Sequence, residues 1–244
     1  RVVSQNLIRV GGQIELQGLT TGVTGAYAER MLLQEVTMMP VPNGLSSDLA
    51  ALTEPMAVAF HAVKRSEIAK RDVAIVIGCG PVGLAVICLL KAQGVKTIVA
   101  SDFSAGRRAL ATQCGADVVV DPAQTSPYAE WKTYGHIQAF PDLLALGMKT
   151  MESLSKLPLP WWHVWRLAEK VGAANLKRPV IFECVGVPGV LQQVIEGAPL
   201  QARIVVVGVC MQMDSIEPAL AIQKEVDLRF VLGQALLEFL AGEV

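Results

Sequence analysis

Apolar positions along this chain fall into two regimes. From Val73 onward, short β-branched runs alternate with longer apolar stretches bounded by Pro, Ser and Gly. Val73–Ile77 reads as a buried strand that stops at Gly78, because a short continuous apolar run bounded by a turn residue suits a strand covered on both faces. Pro81–Gln93 has helical length, with proline in its first turn and Gly94 just past its end, where a left-handed residue stops a helix. Thr97–Ser101 is read as the second strand, Ser104–Cys114 as a helix ending before Gly115, and Asp117–Val120 as the third strand. A second half restarts at Val180–Val185, continues through a helix over Val190–Glu196, and adds strands at Arg203–Val207 and Leu228–Leu232. Six strands with right-handed crossovers predict an α/β fold, a doubly wound parallel Rossmann sheet in the order 3-2-1-4-5-6.

Two stretches lie outside that alternation. Residues 1–46 carry strand-like segments separated by turns at Gly11-Gly12, Gly22, Gly25 and Pro40–Gly44, and read as part of a different, β-rich unit. The connection over about 122–178 is too long for a structureless loop, so one or two helices are expected in it. The expected organisation is a β-rich remnant with a linking helix over 1–60, a Rossmann domain over 61–233 containing the 122–178 insertion, and a C-terminal end over 234–244.

The chemistry begins at the end of the first strand. Gly78-Cys79-Gly80-Pro81-Val82-Gly83 is a GxGxxG placed between a strand and a helix. In that context Gly78 serves the tight turn, Gly80 lets a pyrophosphate approach the backbone, and Gly83 lets the helix pack on the strand. The helix start then offers unpaired N–H groups and a positive dipole end to phosphate. Asp102, at the end of the second strand, is placed to accept hydrogen bonds from the adenosine ribose hydroxyls and to repel a 2′-phosphate, which favours NAD over NADP. Arg107 and Arg108 pull the other way, since an arginine there can bind that phosphate. The plain alternatives are an ordinary strand-to-helix turn for the glycines and a helix cap for Asp102. Val185, Gly186, Val207 and Gly208 fall at the ends of strands four and five, where open α/β sheets bind ligands, and are added as cofactor contacts.

Composition narrows the partners. A net charge of −1 without a Lys/Arg cluster lacks the footprint of nucleic-acid or anionic-membrane binding. The longest apolar stretch, Pro81–Leu90, is too short to span a bilayer, and residues 1–20 lack the pattern of a signal peptide. Five scattered cysteines without a CxxC pair argue against both a disulfide framework and a structural zinc lobe, so a cytoplasmic protein with reduced thiols is expected.

Several segments together resemble the medium-chain, zinc-type alcohol dehydrogenases, close to the sorbitol (polyol) dehydrogenase branch. They are Gly25–Arg30, Leu52–Val63, the glycine motif through Leu84, Phe182–Gly189 and Ile204–Val209. The resemblance implies a GroES-like catalytic domain of which 1–46 would be the last strands. It also implies a small alcohol or polyol substrate, NAD as hydride acceptor, and in the complete protein a zinc ion that polarises the alcohol oxygen. Members hold that zinc with a Cys and a His-Glu pair from an earlier stretch of chain. No cysteine precedes Cys79 here and no His-Glu pair occurs, so the zinc ligands stay unassigned and the chain reads as incomplete. Glu54, read as standing just ahead of a helix that Pro55 opens, is either a helix cap or, by resemblance, a carboxylate beside the zinc or its water.

Other residues invite plainer readings. His61 reads as a hydrogen-bonded core histidine in preference to a proton relay, Glu183 as a cleft-shaping or paired carboxylate, and Trp161, Trp162 and Trp165 as core or as subunit interface in a homo-oligomer in preference to a substrate cap. The competing functions are a zinc-independent quinone or enoyl reductase, a methyltransferase, whose sheet would end in an antiparallel hairpin, and a non-catalytic nucleotide-binding module.

Overall fold

The computed structural model describes residues 1–156, 160–170 and 177–232. The expected C-terminal end over 234–244 lies outside these residues, as do Leu157, Pro158 and Leu159 of the insertion. The chain divides into two compact units, Arg1–Ala57 and a second beginning at Val58.

The first unit contains two short antiparallel ladders. β1 (Val2–Ser4) pairs with β4 (Met38–Pro40), and β2 (Leu7–Val10) pairs with β3 (Gln13–Leu16) across the Gly11-Gly12 turn. α1 (Ser47–Ala50) is capped by the Ser46 hydroxyl, which accepts from the Leu49 N–H at 3.2 Å. α2 (Thr53–Ser66) follows, its first turn in the first unit and the remainder in the second. Here the structure corrects the sequence reading. Glu54 is helical, in the first turn of α2, rather than ahead of it. Proline at the third position is tolerated because first-turn N–H groups have no partner within the helix.

In the second unit, β5 (Val73–Ile77), α3 (Pro81–Ala92), β6 (Thr97–Ser101), α4 (Ala105–Cys114) and β7 (Val118–Val120) form the first half. β8 (Val180–Glu183), α8 (Val190–Gly197), β9 (Arg203–Val206), α9 (Pro218–Gln223) and β10 (Asp227–Phe230) form the second. The sheet order β10-β9-β8-β5-β6-β7 is the expected doubly wound one, with every described pairing parallel. β10 runs parallel to β9, so among the described residues the sheet shows no closing hairpin of the methyltransferase kind. The central strands are apolar throughout because they are covered on both faces: Ile75, Val76, Ile181, Phe182, Ile204 and Val205 are essentially inaccessible. At the edge, Val118 and Val119 are exposed.

Buried Arg203 ties the start of β9 to the end of α2. Its guanidinium donates to the Ser66 carbonyl at 2.5 Å and to Asp227 Oδ2 at 2.8 Å, and Glu67 lies 3.3 Å away. Arg229 completes the group, 3.0 Å from Glu67 and 3.2 Å from Asp227. Each buried charge therefore meets an opposite one, without which its desolvation would be costly.

The connection between β7 and β8 holds three described helices: α5 (Trp131–Tyr134), α6 (Phe140–Leu154) and α7 (Trp161–Lys170). Its start packs on the sheet unit, where Leu200 N–H donates to the Ile137 carbonyl at 2.7 Å and Gln138 to the Gly197 carbonyl at 2.8 Å. Trp161, Trp162 and Trp165 are 38%, 48% and 38% exposed, so the core reading of these residues fails within this chain.

His136, buried beside Tyr134, gives the fold a pH dependence. Burial, followed by the charge of Lys177, pushes its pKa down to about 4 from an ordinary 6.5. The unfolded chain therefore binds the extra proton first, so the contribution is complete above pH 6.5 and is lost as pH falls towards 4. The loss should reach roughly 2 to 3 kcal/mol. Denaturant melts across that window should show the slope for the native chain and a flatter profile for His136→Phe. Equal slopes would remove His136 as the cause.

Candidate dinucleotide site

The C-terminal ends of β5, β6 and β8 converge on one cavity of about 900 Å³. Ligand pockets commonly run from roughly 300 to 1,000 Å³. Its floor is the glycine motif. Gly78 adopts φ +90°, and a Cβ there would sit 2.7 Å from the Val185 methyl and 3.2 Å from the Cys184 carbonyl, so the turn excludes side chains on both counts. Gly83 is buried, and a Cβ on it would overlap the Gly78 carbonyl oxygen. Gly80 differs: nothing lies within 4 Å of where its Cβ would be, and it lines the cavity. Gly80 is also the N-cap of α3, and no side chain caps that helix end. The first-turn N–H groups, Val82 and Gly83 among them, are thus left for a ligand, whereas the Ser104 hydroxyl caps α4.

Asp102 closes the adjoining wall. It is buried, and each carboxylate oxygen accepts one backbone N–H at 2.8 Å: Oδ2 from Cys79 in the glycine turn, Oδ1 from Ser104. A carboxylate has about four acceptor positions, so capacity remains on both oxygens. Arg107 lies 3.7 Å from Oδ2 and is largely exposed. Arg108 is otherwise engaged, donating to the carbonyls of Asp102 at 2.7 Å and Phe103 at 2.8 Å, with Asp121 3.1 Å away.

The residues named from the sequence separate into two groups. Gly78, Gly80, Pro81, Asp102, Arg107 and Val185 line the cavity. Val82, Gly83, Gly186, Val207 and Gly208 are not among its lining residues. Gly186 and Gly208 are set against each other: a Cβ on Gly208 would overlap the Gly186 nitrogen, and one on Gly186 would lie 2.6 Å from the Val209 nitrogen. Glu183 holds this arrangement, its Oε1 accepting from the N–H groups of Val185 at 2.8 Å and Gly186 at 2.9 Å. This buried carboxylate is paired and shapes the rim on which Val185 sits. His61 is half-buried on α2. Glu54 is exposed within the first unit.

Sequence reasoning missed the far wall. Phe103, 75% exposed, stands over one side of the cavity. Pro122, Ser126, Pro127 and Tyr128 line another side, with Tyr128 set where any side chain on Gly197 of α8 would overlap its ring. Phe103 could have been inferred from its place directly after Asp102. The 122–128 stretch carries no periodic signal. Among the described residues no group of three or more His, Cys, Asp or Glu side chains could hold a metal ion.

Comparisons with known proteins agree on one family. A family profile for zinc-binding dehydrogenases matches residues 81–157. (R,R)-butanediol dehydrogenase of Bacillus subtilis is 30% identical over 229 residues, covering 94% of this chain and 55% of the relative. Sorbitol dehydrogenase of Ovis aries is 27% identical over 192 residues, covering 78% and 44%. The chain therefore spans about half the length of the curated relatives it matches. In structure it resembles 2R,3R-butanediol dehydrogenase from Bacillus subtilis, with a TM-score of 0.62, 28% identity, and coverage of 99% of this chain and 62% of that one. Alcohol dehydrogenase TADH from Thermus sp. ATN1 shares the fold, with a TM-score of 0.68 and 20% identity over 99% and 64% of the two chains. The glycine turn, the acid after the second strand and these relatives converge: the chain is similar to the medium-chain, zinc-type alcohol dehydrogenases.

Proposed function

We propose that the second unit binds NAD in this cavity and that the protein oxidises a small alcohol or polyol, hydride passing to the nicotinamide. One observation carries the reading: the open face of Gly80, the uncapped start of α3 and the Asp102 carboxylate border a single cavity. The α3 N–H groups and the space over Gly80 would hold the pyrophosphate. Asp102, pinned by its two backbone donors, would accept the ribose hydroxyls without reorganising. Phe103, Val185 and Val187 would supply apolar walls for a base.

The bound dinucleotide supplies the hydride-accepting ring; the residues here bind and orient it. The described residues do not fit a zinc ion, so no step of this reading runs through one. Zinc in the complete protein enters the proposal only as a group held by other residues, with Glu54 as a carboxylate near it. The butanediol and sorbitol dehydrogenase relatives favour this reading over a zinc-independent reductase or a non-catalytic module. A homo-oligomeric, cytoplasmic protein is part of the proposal. Exposed Trp161, Trp162 and Trp165 support a subunit surface, and five free cysteines support a reducing compartment. No described helix is long and apolar enough to cross a membrane.

The test is Asp102→Ala with NADH titrated by fluorescence. Losing hydrogen bonds to a charged acceptor costs about 1.5 to 3 kcal/mol, so affinity should fall roughly 10- to 150-fold. Since Asp102 also anchors Cys79 and Ser104, Asp102→Asn serves as the control that keeps an acceptor. Unchanged NADH affinity in both variants would remove Asp102 from the site.

A further inference from the structure

The far wall of the cavity includes one face of α8. Val190, Gln193, Val194 and Gly197 all line it, and their spacing along the helix sets them on a single stripe. Gly197 is where Tyr128 enters, since any side chain there would overlap the tyrosine ring. The segment carrying that ring is fixed by the Ser126 hydroxyl, which accepts the Tyr128 N–H at 3.2 Å, and by Gln138, which donates to the Gly197 carbonyl at 2.8 Å. Gln193, one turn before Gly197, therefore stands beside the tyrosine on a wall that valine and proline make largely apolar.

The two adjacent glutamines of α8 are used differently. Gln192 has both ends of its amide engaged: Nε2 donates to Glu196 at 2.7 Å, and Oε1 accepts the Glu217 N–H at 2.8 Å, tying α8 to the start of α9. Gln193 is exposed at the cavity, and among the described residues its side chain has no hydrogen-bond partner. It is also the sole side-chain amide among the described lining residues, so it alone there offers a donor and an acceptor on neighbouring atoms. The charged lining residues, Asp102 and Arg107, both follow β6. The α8 side thus carries no charge for a phosphate, and it suits a flat, neutral heteroaromatic ring with a polar edge.

We propose that Gln193 reads the edge of the adenine base, its Oε1 accepting from the N6 amino group and its Nε2 donating to an adjacent ring nitrogen, with the base held against Tyr128. An amide side chain pairs with adenine in this way because the two donor–acceptor pairs match in spacing. The Tyr128 ring adds a surface on which a base can stack. The assignment rests on the dinucleotide reading of the cavity and adds to it the residue that distinguishes one base edge from another.

The experiment is calorimetric titration of the full chain, native and Gln193→Ala, with NAD and with 1,N6-etheno-NAD, whose bridge occupies the N1 and N6 positions. Gln193 is exposed and alanine favours a helix, so the variant should melt like the native chain. The native chain should bind NAD roughly 3- to 10-fold more tightly than the etheno analogue. Gln193→Ala should lose about that factor for NAD and bind the two dinucleotides within about 2-fold of each other. Undiminished NAD affinity in Gln193→Ala, or a native preference for NAD that the variant keeps in full, would overturn the assignment while leaving the dinucleotide reading in place. Failure of the native chain to bind either dinucleotide would overturn both.

Discussion

Gly80→Val is expected to abolish dinucleotide binding while leaving the fold in place. Gly80 has φ −72° and ψ −174°, an extended conformation that valine adopts readily. Nothing lies within 4 Å of a Cβ there, so the new side chain meets no protein atom close by. It would instead occupy cavity space directly over the start of α3, where a pyrophosphate must approach the backbone. Valine is a poorer N-cap than glycine, which costs under about 1 kcal/mol and shifts melting by a few degrees at most. NADH affinity should fall by at least about 100-fold, equivalent to roughly 2.7 kcal/mol. Melting and titration are run on the same preparation, and retained affinity would place the phosphates elsewhere.

Gly83→Ala, three residues along the same motif, is expected to do the opposite kind of damage. Its Cβ would overlap the Gly78 carbonyl oxygen, a backbone atom that cannot turn aside as a flexible side chain would. The Cys184 Cβ lies 3.5 Å away on the β8 side, so withdrawing the helix also disturbs that contact. Overpacking of this kind costs about 3 kcal/mol or more, a fall in melting temperature of roughly 6 to 12 °C. NADH binding should fail with it, because the helix start and the glycine turn move together. A Gly83→Ala protein that melts like the native chain would contradict the close helix–strand approach. The two glycines thus divide one motif between ligand space and packing.

The sheet was legible because its strands are buried on both faces, which forces unbroken β-branched runs such as Val73–Ile77 and Val180–Glu183. The glycine motif and Asp102 were legible because their spacing follows from the strand–turn–helix geometry itself. Less was readable at the strand ends. Gly186 and Gly208 were named as cofactor contacts, yet the structure uses them to let two loops touch, and sequence alone does not separate ligand approach from backbone approach. Tyr128 was invisible because its place depends on the tertiary fit against Gly197, across some seventy residues of chain. Glu54 was set ahead of its helix by the bias of a residue before proline against helical geometry, which α2 overrides in its first turn.

The central claim is that Asp102 sits at the ribose of a bound NAD, and one measurement tests it most directly: titration of the native chain with NADH and, separately, with NADPH at the same ionic strength. A 2′-phosphate would be brought against the buried Asp102 carboxylate, with exposed Arg107 at 3.7 Å offsetting it in part. The account predicts one NADH per chain, bound at least about 10-fold more tightly than NADPH, a difference of roughly 1.4 kcal/mol. Equal affinity for the two, or a preference for NADPH, would contradict it.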